Sequence, residues 1–191
     1  SVEKQQTALK TICTEQPEVA WKLLESLLPS QHSMTSGTHK PTWRETIPEG
    51  SKKGVTNGEY WEQSQFCAEL IVEQAGFDIV KLSSLVGNYD HLPTRASKAL
   101  RDKLLSENCL KLSEQARLPL WMALCKLIAR HRSFPDVEWS LGEDSLLPME
   151  KIARQLAPES PSLLNKRLFS EYDGDLYEGD GDRQEKQDEL F

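Results

Sequence analysis

The stretch from Leu118 to Arg132, LPLWMALCKLIARHR, limits the fold more than any other part of the chain. Its apolar residues surround nearly the whole of a 3.6-residue helix instead of forming one stripe, so that helix must be covered on all sides and belongs at the centre of a core. Pro119 would break a helix already running from Ser113, so either a kink falls there or the helix starts near Leu118. Arg130, His131 and Arg132 meet the negative pole of its dipole.

The remaining apolar residues recur at helical spacing. Leu9, Ile12 and Cys13 fall at i, i+3, i+4. Pro17 stands where a second helix begins, and Ala20, Leu24, Leu27 and Leu28 line one face of it until Pro29. With no Met and no cap before it, the start reads as a cut made in a longer protein. From Gly58 the signal returns through Tyr60, Trp61, Phe66, Cys67, Leu70, Ile71 and Ala75 to a left-handed cap at Gly76. Asp78 caps a helix with Ile79, Leu82, Leu85 and Val86 inside and Gly87 closing it, and Leu92-Pro93-Thr94 opens another carrying Leu100, Leu104 and Leu105. Pro135 to Leu141 reads as a turn returning Trp139 to the core. Met149, Ile152, Ala153 and Leu156 mark one more helix, and Ser162 to Phe169 a last short one. No run alternates apolar and polar residues, and Thr56-Asn57-Gly58 and Asp173-Gly174 read as turns without strands beside them. The fold class is therefore all-α, as stacked helical hairpins, α-solenoid-like or an irregular helical bundle. One helical domain spans residues 1–170, and residues 171–191 form an acidic linker leading into a helix cut short by the chain end.

Inside that domain residues 29–57 break the pattern with Ser, Thr, Gly, Pro and Lys and no apolar period, as in a long, basic, functional or disordered loop. Its net charge is only +2, thin for a nucleic-acid site. The chain's net charge of −7 resides in residues 171–191, where nine acidic groups meet Arg183 and Lys186, leaving the first 170 residues formally neutral. That tail fails the EF-hand spacing in both registers, because Glu178 or Arg183 falls where the loop needs its glycine, so it reads as a solvated acidic linker.

Chemistry is sparse. Cys13, Cys67, Cys109 and Cys125 sit singly among apolar neighbours, which suits buried, reduced thiols and not a disulfide framework. Cys125 and His131 have the wrong offset for one zinc site, Cys109 and His91 are isolated as nucleophile and base, and no phosphate-binding glycine motif occurs. No catalytic residue, metal or cofactor is expected, nor a small-molecule ligand. No apolar run approaches a membrane span, and no leader or retention signal is present, so the expected location is cytoplasmic. The binding candidates are His39, Lys40, Trp43 and Arg44 in the long loop, with Trp61 just after it. Trp43 either pins the loop to the helices, or joins its basic neighbours in clamping a protein partner, or stacks on a nucleic-acid base. The loop's thin charge argues against the last.

At these residues a resemblance emerges. Pro17-Glu18-Val19-Ala20-Trp21-Lys22-Leu23-Leu24, Leu27-Leu28-Pro29 and Thr38-His39-Lys40-Pro41-Thr42-Trp43-Arg44 resemble a segment in the helical C-terminal half of large bacterial STAND-type and sirtuin-fused nucleotide-binding proteins associated with phage defence. Leu120-Trp121, Arg130-His131-Arg132, Phe134, Trp139 and Leu168-Phe169-Ser170 resemble its continuation. The resemblance implies a helical-repeat sensor or scaffold, contacting a protein partner or neighbouring repeats of its own chain, with nucleotide and effector domains elsewhere. It transfers no active-site residue. A purely architectural spacer or oligomerisation domain is the competing expectation, and a small helical enzyme using His39 or His91 a third.

Overall fold

The computed structural model describes residues 2–29 and 56–165. All regular structure among the described residues is helical: α1 (Val2–Glu15), α2 (Pro17–Ser26), α3 (Asn57–Gln74), α4 (Ile79–Gly87), a 3-10 turn (Tyr89–His91), α5 (Thr94–Leu104), α6 (Glu107–Leu110), α7 (Glu114–Ser133), α8 (Glu143–Leu156) and α9 (Pro161–Leu164). The all-α expectation holds for these residues.

The helix expected to need cover on every side is the most extensively buried one, but it keeps one solvent-facing stripe, where Gln115, Pro119, Lys126 and Arg130 are exposed and Met122 and Ala123 half-buried. α7 buries Leu118, Leu120, Trp121, Leu124, Cys125, Leu127, Ile128, Ala129 and His131. Its main neighbours are α4 on one side and α8 on the other. α4 thus packs on a helix distant in sequence, and the core is organised around α7 rather than around each hairpin alone. Pro119 neither starts nor ends α7, which Ser113 caps by accepting a hydrogen bond from the Ala116 N–H. The carbonyl that Pro119 leaves without a helical donor belongs to the exposed Gln115, where water can serve it. Pro148 occupies the equivalent second turn of α8, above exposed Asp144, so α8 begins at Glu143 and not beside Met149.

α7 and α8 run antiparallel because they are tied at both ends. Near the start of α7, Arg117 donates to the Ala157 carbonyl beyond α8 at 3.2 Å, and at its end Arg132 reaches Glu143 and, at 2.7 Å, Glu150. The Glu143 hydrogen bond holds the Arg132 guanidinium well above its ordinary pKa, and Arg132 in turn lowers that of Glu143. α2 and α4 run in the same direction, since Glu18 pairs with Lys81 at 3.0 Å and Glu25 accepts from Ser84 at 2.6 Å.

Several local expectations shift. α2 stops at Ser26, and Leu27, placed on its buried face by spacing, is 43% exposed, while Trp21 is buried beneath the Lys81 ammonium, 5.3 Å from the ring centroid. Leu105, just past the end of α5, is exposed, while α4 does end at Gly87, with Asn88 after it donating to the Ser84 carbonyl. Gly76 does adopt the left-handed conformation, with φ +53°. Because no heavy atom lies near where a Cβ would stand there, Gly76→Ala tests the backbone alone. We expect a loss of about 1 kcal/mol in denaturant unfolding, since a side chain disfavours that φ. Asp78 accepts from both Val80 N–H (2.9 Å) and Lys81 N–H (3.1 Å), so Asp78→Ala should cost about 1 kcal/mol by the same measurement.

Candidate functional site

The site begins with the first turn of α3. Thr56 Oγ1 accepts from the Glu59 N–H at 3.2 Å, and the Glu59 carboxylate accepts from the Thr56 N–H at 2.9 Å. This reciprocal capping box satisfies two otherwise unpaired amides and fixes where the helix starts. It also lowers the Glu59 pKa, chiefly through the backbone bond from Thr56, and so keeps the group ionised at the positive helix end. Thr56-Asn57-Gly58, read from sequence as a turn, is thus a cap and the first two residues of a helix.

Immediately after the box stand Tyr60 and Trp61. Their rings meet edge to face, with centroids 5.3 Å apart and planes at 72°, yet Tyr60 is 47% and Trp61 60% exposed. One turn later Ser64, Cys67 and Ala68 are already buried, so the helix changes from bare to covered within two turns. Leaving large apolar side chains in water forgoes roughly 1.5–3 kcal/mol each. Among the described residues no other side chain covers the exposed part of the pair. The capping box sets the helix start that carries the pair, and Gln63 on the next turn donates to Gln5 on α1 at 2.8 Å.

Of the binding candidates, Trp61 alone lies among the described residues, and it is exposed. His39, Lys40, Trp43 and Arg44 lie outside the described residues, as does the acidic tail. The candidate nucleophile Cys109 is completely buried, and burial raises its thiol pKa, which suppresses the reactive thiolate. Cys13 and Cys67 are buried with thiols raised for the same reason, and Cys125 is buried too. His91 pairs with Asp90 at 3.5 Å. Among the described residues no group of three side chains is arranged to hold a metal ion, and no helix is long and apolar enough to cross a membrane.

Sequence reasoning missed a second cluster, at the end of α7. His131 has no solvent exposure, and its Nδ1 accepts the Leu141 N–H at 3.1 Å. Its ring lies 5.4 Å from that of Trp139, which also meets Phe134 at 5.9 Å and carries the Arg130 guanidinium 4.7 Å over its face. Trp139 thus does fold back, but onto a histidine and an arginine rather than onto aliphatic core. Comparison with protein-family models, with curated proteins and with solved structures finds no match.

Proposed function

We propose that this chain is a non-catalytic protein-interaction module, a sensor or scaffold within a larger bacterial protein, and that Tyr60 and Trp61 form part of its contact surface. The observation that carries the reading is the exposed edge-to-face pair on a turn fixed by a capping box. Tryptophan and tyrosine anchor interfaces because they supply large contact area for little loss of side-chain freedom, and the capped helix start presents both side by side. His39, Lys40, Trp43 and Arg44 join the surface on the strength of their sequence pattern alone. The partner class is protein, with stacking of hairpins on neighbouring repeats as its internal form, and the context is the antiphage nucleotide-binding protein that the sequence resembles. The buried, pKa-raised thiols favour this reading over thiol chemistry.

Two assays test it. The purified chain is expected to show no ATPase or NADase activity, and turnover of either substrate would end the non-catalytic reading. Acrylamide quenching should fall on Trp61→Phe, because Trp61 is open to solvent while Trp21 and Trp121 are buried. An unchanged quenching constant would mean that this tryptophan is covered in solution and unavailable to a partner.

A further inference from the structure

We propose that His131 is a proton-sensitive latch that holds the turn of residues 134–141 against the end of α7 when neutral and releases it when protonated. The turn is fastened by three contacts to two successive residues: Leu141 N–H to His131 Nδ1 at 3.1 Å, Ser140 Oγ–H to the His131 carbonyl at 3.1 Å, and Trp139 against the His131 ring and the Arg130 guanidinium. Nδ1 can accept only while it carries no proton, so the ring in this arrangement is the neutral form with its hydrogen on Nε2. Protonation puts an N–H on Nδ1 directly opposite the Leu141 N–H. Two donors then face each other and the bond is lost.

The surroundings poise the ring for such a change. Nε2 is buried without a hydrogen-bond partner, and so is Oδ1 of the nearly buried Asp90 carboxylate in the 3-10 turn. Burial pushes the imidazole below its usual 6.5, with Asp90 favouring the cation and Arg130 opposing it. Other charges nearby are engaged or solvated. His91 and Arg130 lie on the far oxygen of Asp90, at 3.5 and 3.8 Å, and α4 offers only Lys81, paired with Glu18. On α8, Glu143 and Glu150 are held by Arg132, and Asp144 and Lys151 are exposed, as are Asp136 and Glu138 on the turn itself. A cation pKa lowered by folding means that the latched state binds the proton less readily than the released one. The latch is therefore whole above pH 6.5 and weakens as pH falls below it.

Amide hydrogen exchange of Leu141 against pH, with far-UV circular dichroism alongside, tests the latch. In the intact chain the Leu141 protection factor should fall below pH 6.5, by up to about tenfold per pH unit, while the helical signal stays constant. His131→Asn keeps an acceptor near Nδ1 that does not titrate, so its protection should be high and flat; His131→Gln displaces the acceptor and should be low and flat. The latch is overturned if wild-type Leu141 protection is unchanged between pH 7.5 and about 5, using the ordinary histidine range as the window, if it is lost only together with the helical signal, or if the pH dependence survives in His131→Asn. Should either variant fail to fold, the wild-type profile and its dichroism decide the matter.

Discussion

Leu124→Ala should lower the free energy of unfolding by about 2–5 kcal/mol, the range for removing a fully buried leucine and leaving a cavity. Leu124 has no exposure and stands midway along α7, where that helix is pressed between α4 and α8. A cavity there has packed helices on two sides, so neither can close it without giving up contacts elsewhere. The measurement is the urea midpoint with the slope held in view. An unchanged slope with a lower midpoint is the expected pattern, and a change under about 1 kcal/mol would mean that α7 is not the central element.

Tyr60→Ala combined with Trp61→Ala should do the opposite. Each side chain is only about half covered, so their loss should lower the free energy of unfolding by less than about 2 kcal/mol, well short of the cost of a fully buried residue. If the pair anchors a partner, its removal should weaken that association by about 30-fold or more, corresponding to about 2 kcal/mol. Stability and binding thus separate: Leu124 governs the first and the aromatic pair the second. Equal affinity in the double variant would remove α3 from the contact surface.

The core was legible from sequence because burial on helices follows a period that leucine, isoleucine and methionine report directly. Leu118, Leu120, Trp121, Leu124, Leu127 and Ile128 on α7 and Met149, Ile152, Ala153 and Leu156 on α8 are buried as apolar residues at helical spacing should be, whereas Met122 and Ala123 are only half-buried. Asp78 and Gly76 were legible for a different reason, since each performs a backbone task that few residues can. The errors lie where two local signals compete. Asn57-Gly58 favours a turn, but Thr56 and Glu59 form a capping box, and the box prevails because it satisfies amides and starts a helix that the core covers one turn later. Pro119 reads as a kink or as a helix start near Leu118, yet α7 runs through it from Glu114, leaving the unpaired carbonyl at exposed Gln115, where the cost is smallest. Leu27 continues the period of the buried face, although it stands just past the last residue of α2.

The aromatic pair was only half legible. Trp61 was singled out beside the loop, but the period counted it and Tyr60 among the residues introducing a helix, and nothing in a linear pattern says which end of α3 the other helices leave bare. The His131 cluster was invisible for a related reason. Asp90 reaches His131 only through the packing of α4 on α7, while Trp139 and Leu141 return to it from the turn directly after α7.

The most direct test of the interaction reading is photo-crosslinking from position 61 in the full-length protein, with a benzophenone amino acid replacing Trp61 and a second protein carrying it at the buried position of Leu124 as control. The account predicts a discrete protein adduct from position 61, absent from the control and lost when Tyr60→Ala is added. Labelling by solvent alone from position 61, or an adduct that persists unchanged with Tyr60→Ala, would contradict the claim that this exposed pair is where the chain meets its partner.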